Sequence, residues 1–244
     1  NLTARKNAED ALRDGDRRKD QFLATLAHEL RNPLAPLRSG LETLKRSSPD
    51  SEAYGRTVKI MDRQLNMLVH LVDDLLDVSR ITSGKIALRR ARVSLQSVLT
   101  ASAEASCAVI DARTHRLLID TCEDELIVDA DFDRLVQIFS NLLSNAAKNT
   151  DKAGTIEVKL RREGDRAVIT VADNGIGIPA EELSKIFGLF AQVRSHHGHA
   201  NGGLGIGLSL VQQLVEMHGG SVRASSSGVS QGSTFTVSLP SPDV

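Results

Sequence analysis

The stretch that decides the fold runs from Asn141 to Lys148 and reads Asn-Leu-Leu-Ser-Asn-Ala-Ala-Lys. Asn141, Asn145 and Lys148 recur at helical spacing, which places them on one face of a helix with the leucines on the other. Asparagine is a poor residue for the middle of a helix, so this polar strip favours a bound partner over an ordinary solvated face. Amide oxygens suit Mg²⁺ and lysine suits phosphate, so the strip predicts a site for both.

A carboxylate followed by glycines comes next along the chain, directly after a predicted strand at 167–172. Asp173 is positioned to accept a hydrogen bond from an adenine amino group, and Gly175 and Gly177 let backbone approach a flat ligand closely. Gly175, Gly177 and Ala180 also match a loosened dinucleotide-binding fingerprint, but a glycine- and histidine-rich loop lies where its next strand and acidic residue belong. The chain has no Walker motif, which excludes a P-loop.

A second glycine cluster, Gly203-Leu204-Gly205-Ile206-Gly207, leads directly into a predicted helix that ends near His218. Glycines at a helix N-terminus expose backbone N–H groups to an anion, and the helix dipole adds to the attraction. The alternative, a flexible linker, is disfavoured by the abrupt start of the apolar helix. This cluster is therefore the best candidate for a phosphate cradle.

The region around these clusters mixes helices with strands, which predicts an α/β sandwich with a mixed sheet. Asp131 is a typical N-cap for the helix that carries the polar strip. The predicted helices are 94–111, 131–149 and 206–218, and the predicted strands are 117–119, 126–128, 155–160, 167–172, 221–225 and 234–239.

The N-terminal part has a different pattern, because residues 19–88 are helical throughout. Two apolar stripes, joined by a turn at 47–50, predict an antiparallel helical hairpin. A single hairpin cannot bury both stripes, so we expect a homodimer in which two hairpins form a four-helix bundle. The change of pattern divides the chain into 1–19, a helical part at 20–88 and an α/β part at 89–244.

If the leucines of the first helix occupy heptad position a, His28 lies at position f, which is the most exposed one. It stands beside Glu29 and one turn before Asn32. Pro33 and Pro36 follow, and each removes a backbone hydrogen bond and is expected to bend the helix. A neutral imidazole is a competent nucleophile, and a neighbouring carboxylate is able to accept its proton. The alternative is an ordinary solvated surface histidine, which this segment alone favours.

Composition limits the classes of partner. The formal net charge of -1 gives no general attraction to nucleic acid or to anionic lipid. Two cysteines make a disulfide framework unexpected, and no apolar run is long enough to span a membrane. We expect this fragment to lie in the cytoplasm without membrane contact, and the sequence leaves open whether the parent protein is anchored.

These motifs, and the order in which they occur, resemble those of the sensor histidine kinases of two-component signalling. The resemblance extends from about Asp20 to Pro240. The segments that carry the resemblance are the phosphoacceptor box Phe22–Leu34, the N box Asn141–Thr150, the first glycine box Asp173–Gly177, the F box phenylalanines Phe187 and Phe190, and the second glycine box Gly203–Gly207.

The resemblance implies autophosphorylation of His28 by ATP, followed by phosphoryl transfer to an aspartate of a response regulator receiver domain. It also implies that 1–19 is a linker helix from a missing sensor part, that 20–88 is a dimerisation and phosphoacceptor domain, and that 89–244 is an ATP-binding domain. Glu29 is then the acid/base partner, and Asn32 fits a role in dephosphorylating the regulator. The nucleotide-binding residues implied by the family are Asn141, Asn145, Lys148, Asp173, Gly175, Gly177, Gly203, Leu204, Gly205 and Gly207, with Asn145 as the Mg²⁺ ligand.

Two features depart from the family pattern. Asn149 stands where an aromatic residue usually follows the lysine. The loop at 188–201 is predicted to be a lid, and its part Val193–Asn201 matches no lid pattern of the family. The alternatives are an ATPase of the chaperone, gyrase or mismatch-repair type, or a non-catalytic dimeric signalling scaffold. Those ATPases have a water-activating glutamate where this chain has Asn141, so we expect slow hydrolysis and transfer to the imidazole instead.

Overall fold

The structure is a computed structural model that describes residues 24, 26–27, 30–46, 48–82, 87–189, 191 and 205–241. Its described residues divide into two compact units, a helical one before Arg80 and an α/β one from there onward. Four of the predicted site residues lie outside the described residues: His28, Glu29, Gly203 and Leu204. Among the described residues, no helix is both long and apolar enough to cross a membrane.

The helical unit is a hairpin of two helices, α1 (30–46) and α2 (Glu52–Thr82). Ser51 caps α2, because its Oγ accepts a hydrogen bond from the Tyr54 N–H at 3.2 Å. The helices approach closely at Gly40, where an added Cβ would lie 2.7 Å from the Met61 side chain. The described residues therefore confirm the predicted hairpin and its turn.

Large apolar side chains of this hairpin remain exposed in the single chain. Leu65 is 53% exposed and Val69 is 51% exposed on α2, and Leu34 is 52% exposed on α1. They belong to the two stripes from which the sequence predicts a four-helix bundle. Isolated exposed leucines are ordinary, but a repeated apolar stripe along a helix indicates a covering partner.

The α/β unit contains seven strands and four helices in its described part. In chain order they are β1 (Ala91–Ser94), α3 (Leu95–Ala112), β2 (Arg116–Thr121), β3 (Ile127–Ala130), α4 (Phe132–Asn149), β4 (Thr155–Glu163), β5 (Arg166–Asp173), α5 (Ala180–Leu183), α6 (Gly207–Met217), β6 (Ser221–Ser225) and β7 (Ser233–Pro240).

Five of the strands form one mixed sheet in the order β2-β4-β5-β7-β6. β2 pairs with β4 in parallel, and the other neighbours pair antiparallel. Alternate residues of β4, β5 and β7 are buried, as expected when one face of a sheet packs against helices. α3, α4 and α6 supply the covering layer and its buried leucines. The predicted sandwich with a mixed sheet is confirmed.

A second sheet has two short strands, β1 and β3, which pair antiparallel with Val93 opposite Val128. The sequence pattern predicts β3 but not β1, because only one residue of β1 is buried and four residues give no clear alternation. The short α5 is not predicted either. β1 brings the chain into the α/β unit beside the start of α4.

α4 and α6 are joined at one end by a buried histidine. Asp131 Oδ1 accepts from the Arg134 N–H at 3.2 Å and so caps α4, as predicted. The Asp131 N–H lies 3.1 Å from His218 Nε2, and His218 Nδ1 lies 2.7 Å from the Leu214 carbonyl oxygen. An amide N–H only donates and a carbonyl only accepts, so His218 is the neutral tautomer with its proton on Nδ1.

This neutral state agrees with the electrostatics around His218. Burial lowers the pKa of His218 from its ordinary value, and the positive charge of Arg90 acts in the same direction. The hydrogen bond to the Leu214 carbonyl and the carboxylates of Asp131 and Asp129 oppose that shift without reversing it. His218 is only 3% exposed, so its hydrogen bonds are shielded from water.

The chain that enters the α/β unit is held at the same end of these helices. The Arg89 N–H donates to Asp131 Oδ2 at 2.8 Å. The Arg90 guanidinium donates to the Met217 carbonyl oxygen at 2.7 Å. We call Arg89, Arg90, Asp131 and His218 the entry cluster.

Candidate functional site

The polar strip of α4 lies as the sequence predicts. Asn141 and Asn145 are half-buried and Lys148 is exposed, on one side of the helix. The opposite side carries the predicted apolar residues, Leu135, Ile138, Leu142 and Leu143, all buried in the core. The core therefore fixes the rotation of α4 and with it the direction of the polar strip.

Asn141 meets the start of α6. Its Cγ lies 3.9 Å from the position that a Cβ on Gly207 would occupy. Its amide nitrogen is buried and has no hydrogen-bond partner among the described residues. A buried amide donor without a partner is costly, and a phosphate oxygen is the kind of acceptor that would satisfy it. The two predicted residues thus lie close together, with an amide donor that an anion could satisfy.

The second glycine cluster is described only from Gly205 onward. Gly205 has a φ of 66°, in the left-handed region that favours glycine. α6 begins at Gly207 without a side-chain cap on its first turn. Because backbone N–H groups of a first helical turn have no partner within the helix, this start is compatible with the predicted phosphate cradle.

Asp173 is held in place by two hydrogen bonds. Its Oδ1 accepts from the Gly175 N–H at 2.9 Å, and its Oδ2 accepts from Ser233 Oγ at 2.5 Å. Ser233 lies directly opposite Asp173 in the register of β5 and β7. The sequence gives no indication of this serine, because the contact joins strands 60 positions apart.

The first glycine box lies tightly between two other segments. A Cβ on Gly175 would lie 2.1 Å from the Asn149 carbonyl oxygen. Gly177 has a φ of 68°, and a Cβ on it would lie 2.0 Å from the Gly228 carbonyl oxygen. The Ile176 N–H donates to the Asn149 carbonyl at 2.9 Å. Glycine is therefore required at both positions, and the end of α4 is joined to the loop that follows Asp173.

The connection between β6 and β7 is the third segment of this assembly. Ser226 Oγ accepts from the Ile178 N–H at 3.0 Å and donates to the Gly232 carbonyl at 2.6 Å. A polar cavity of about 190 Å³ opens beside Asp173 and this connection. The sequence reasoning missed Ser226 and Ser233, although the Ser- and Gly-rich composition of 225–233 marks an unusual connection.

Asn145 has a hydrogen-bonding neighbour on its own helix. Asn149 Nδ2 lies 2.9 Å from the Asn145 carbonyl oxygen and 3.0 Å from Asn145 Oδ1. A carboxamide oxygen is a hard ligand of the kind that Mg²⁺ prefers, so the donor chemistry of this strip fits the predicted metal. Among the described residues, no group of three or more acidic, histidine or cysteine side chains could hold a metal ion.

The predicted F box is described in part. The Phe187 ring packs edge-on against the fully buried Phe235 ring, with centroids 6.4 Å apart and planes at 89°. This contact anchors the segment that precedes the predicted lid. Phe190 and Val193–Asn201 lie outside the described residues.

On the helical hairpin, Asn32 is exposed on α1. Its side chain is therefore accessible for the predicted role toward a regulator. His28 and Glu29 lie outside the described residues, so their predicted roles stay predictions.

Comparisons with known proteins agree with both units. Residues 18–84 match the family described as His Kinase A (phospho-acceptor) domain. Residues 130–243 match the family described as histidine kinase-, DNA gyrase B-, and HSP90-like ATPase. The chain is 39% identical over 229 residues to the circadian input-output histidine kinase CikA of Synechococcus elongatus, which covers 91% of this chain and 30% of that protein.

Solved structures have the same fold. Full-length ShkA in complex with AMPPNP is similar at a TM-score of 0.67 and 27% identity, over 92% of this chain and 46% of that one. Histidine kinase ThkA in complex with the response regulator protein TrrA is similar at a TM-score of 0.65 and 22% identity, over 97% of this chain and 66% of that one. At that identity the second likeness shows the fold alone.

The first curated relatives are longer than this chain, which spans between 30% and 49% of their lengths. The two family matches nevertheless follow one another along most of the chain, on the hairpin and the α/β unit described above. The chain therefore belongs to the sensor histidine kinases and contains their phosphoacceptor and ATPase regions.

Proposed function

We propose that the chain transfers the γ-phosphoryl group of ATP to its own His28, and that the phosphohistidine then passes this group to an aspartate of a response regulator receiver domain. The observation that carries the proposal is the meeting of three predicted elements at one edge of the α/β unit. The end of α4 is bonded to the loop after Asp173, and Asn141 lies against Gly207 at the start of α6.

In this proposal the α/β unit binds ATP through the predicted residues. Asp173 accepts a hydrogen bond from the adenine amino group, and its two internal hydrogen bonds keep its carboxylate oriented. Asn141 and Lys148 lie along the phosphates, together with the glycines around Gly207. Asn145 holds Mg²⁺ through Oδ1, and the cation supplies positive charge that neutralises the phosphate oxygens.

The chemical step needs a nucleophile, a leaving group and a proton acceptor. An imidazole nitrogen of His28 forms a bond to the γ-phosphorus while the bond from phosphorus to the bridging oxygen breaks and ADP leaves. Glu29 accepts the proton released from the ring, which leaves a phosphohistidine with a neutral ring and a negatively charged phosphoryl group. In the transfer to a receiver aspartate, a carboxylate oxygen bonds to phosphorus while the N–P bond breaks. This forms an acyl phosphate, and the ring regains the proton that it had released to become a neutral imidazole again. We extend the proposal to phosphatase activity toward the regulator, in which the exposed Asn32 takes part.

We further propose that the protein works as a homodimer. The exposed stripe on α2, including Leu65 and Val69, and Leu34 on α1 support a second hairpin as its cover. Two hairpins joined in this way make a four-helix bundle and bury these side chains. Dimerisation then brings two phosphoacceptor segments into one bundle.

The test is incubation with γ-labelled ATP and Mg²⁺, comparing the natural chain with His28→Ala. We expect acid-labile, alkali-stable label on the natural chain alone, as a phosphoramidate requires. Asn32→Ala is a matched control on the same helix face and is expected to label normally. Steady release of phosphate without labelled protein would support the ATPase alternative, and the absence of both ATP binding and label would support the scaffold alternative.

A second variant separates chemistry from binding. Glu29→Gln is expected to slow labelling with little change in ATP affinity, because its carboxylate acts on the proton and not on the nucleotide. A loss of affinity equal to the loss of rate would contradict that role. Transfer to a receiver domain is read as movement of label from the chain to the receiver, and it should stop when the receiver's acceptor aspartate is replaced by asparagine.

A further inference from the structure

The side chain of Asn149 makes two hydrogen bonds whose direction is fixed by chemistry. One joins its amide nitrogen to the Asn145 carbonyl oxygen at 2.9 Å, and a carbonyl only accepts. The terminal atom of Asn149 that faces Asn145 is therefore its nitrogen. The second contact of that nitrogen, at 3.0 Å, must then be with the oxygen of the Asn145 carboxamide and not with its nitrogen.

Asn149 is itself held firmly. Its carbonyl oxygen accepts from the Ile176 N–H at 2.9 Å, and Gly175 packs directly against that oxygen. The next residue, Thr150, leaves the helix with extended backbone angles, and its hydroxyl donates to the Ala146 carbonyl at 2.7 Å. The donor that faces Asn145 is thus attached to a backbone position fixed on both sides.

We propose that Asn149 is a positioning residue for the metal ligand: it holds the Asn145 carboxamide so that Oδ1, and not the amide nitrogen, faces the cation. The inference rests on the proposed function, because it takes Asn145 as the Mg²⁺ ligand. A carboxamide oxygen accepts two hydrogen bonds or metal contacts, so one remains for Mg²⁺ after Asn149 has used the other. A flipped carboxamide would instead present an N–H group to the cation.

This role differs from the one that the family resemblance suggests for the position. The related kinases usually have an aromatic residue there, and an aromatic ring has no amide N–H to give to Asn145. In this chain Asn149 therefore acts on Asn145, the proposed Mg²⁺ ligand. Partners that orient a metal ligand are commonly worth about 10-fold or more in metal affinity.

The proposal is tested by calorimetric titration of the full chain with a non-hydrolysable ATP analogue, in Mg²⁺ and in EDTA. The measured quantity is the factor by which Mg²⁺ strengthens binding. Asn149→Leu keeps the size of the side chain and removes both donors, so we expect about a 10-fold smaller factor with unchanged affinity in EDTA. In Asn149→Ser the single hydroxyl proton can bond to the Asn145 carbonyl oxygen, as that of Thr150 bonds to the Ala146 carbonyl oxygen. We expect this second, less disruptive variant to show the same loss of the Mg²⁺ factor as Asn149→Leu.

Thr150→Val is the matched control. It removes the hydrogen bond from the Thr150 hydroxyl to the Ala146 carbonyl oxygen, at the position next to Asn149, and leaves Asn145 unchanged. We expect its Mg²⁺ factor to equal that of the natural chain. The positioning role would be overturned if Thr150→Val lowered the Mg²⁺ factor as much as the Asn149 variants do. It would also be overturned if the Asn149 variants lost as much affinity in EDTA as in Mg²⁺, because the role would then be merely structural.

Asn145→Ala and the double variant Asn145→Ala, Asn149→Leu complete the set. If Asn149 acts through Asn145, both lose the Mg²⁺ factor and the second substitution adds nothing. If Asn145→Ala removes the factor and the Asn149 variants keep it, the positioning role is wrong while the proposed function stands. If Asn145→Ala keeps the factor, the metal assignment of the proposed function itself is wrong.

Discussion

Replacing His218 by leucine should destabilise the α/β unit, because it removes the acceptor of the Asp131 N–H. That N–H lies in a buried environment, where His218 is 3% exposed. Leaving such a donor without a partner costs about 1–3 kcal/mol of unfolding free energy. His218→Gln places an oxygen near the position of Nε2 and keeps an acceptor, so we expect it to cost about 1 kcal/mol or less.

The same residue should make stability depend on pH. The pKa of His218 is lowered in the folded state, so the unfolded chain binds more protons between the folded value and about 6.5. The contribution of His218 is therefore complete above about pH 6.5 and is lost as the pH falls below it, at up to about 1.4 kcal/mol per pH unit. Glutamine does not titrate, so His218→Gln should lack this part of the pH dependence.

Urea unfolding followed by far-ultraviolet circular dichroism measures both effects. The chain has no tryptophan, and its one tyrosine, Tyr54, lies in the hairpin, so circular dichroism is needed to follow the α/β unit. The natural chain should lose stability relative to His218→Gln as the pH falls from about 7.5 to about 5.5, by no more than about 1.4 kcal/mol per pH unit. Parallel stabilities of the two proteins across this range would refute the assignment of His218 as a buried neutral acceptor.

Three further outcomes follow from the geometry of the nucleotide site. Gly177→Ala should lower the unfolding free energy in urea by about 2–4 kcal/mol, because its methyl group would overlap the Gly228 carbonyl oxygen at 2.0 Å. Gly164 has a similar φ but lies in open space, so Gly164→Ala should lower it by only about 1 kcal/mol. Ser233→Ala should weaken ATP binding about fivefold in calorimetry by freeing the Asp173 carboxylate, and unchanged affinity would contradict that role. Phe187→Ala should lower the unfolding free energy by about 2 kcal/mol, and a change below about 0.5 kcal/mol would show that its ring does not anchor the lid segment.

Elements with strong periodicity are the ones that the sequence predicts well. The apolar stripes of the hairpin, the buried face of α4 and the alternation in β4, β5 and β7 each extend over many residues, so their patterns are clear. β1 has one buried residue among four and α5 has none, so neither shows a periodic pattern. Their position depends on partners elsewhere in the chain.

The contacts that orient the candidate site are harder to predict for the same reason. Ser233 and Ser226 act on segments about 50 to 60 positions away, and no local pattern marks such pairs. Asn149 is a different case, because the sequence shows it only as a departure from the family pattern and indicates no partner for it. Its side chain instead bonds to Asn145, which only the helical geometry reveals.

The entry cluster has a mechanical consequence. Asp131 and Asn145 are fourteen residues apart on α4, which corresponds to a distance of about 21 Å along the helix. The entering chain is therefore bonded to one end of α4, and the proposed nucleotide-binding residues lie toward the other end. A rotation of about 10° at this pivot displaces Asn145 by about 4 Å, more than a hydrogen-bond length. If the chain acts as proposed, small changes in the direction of the entering chain suffice to align or misalign the phosphoryl group.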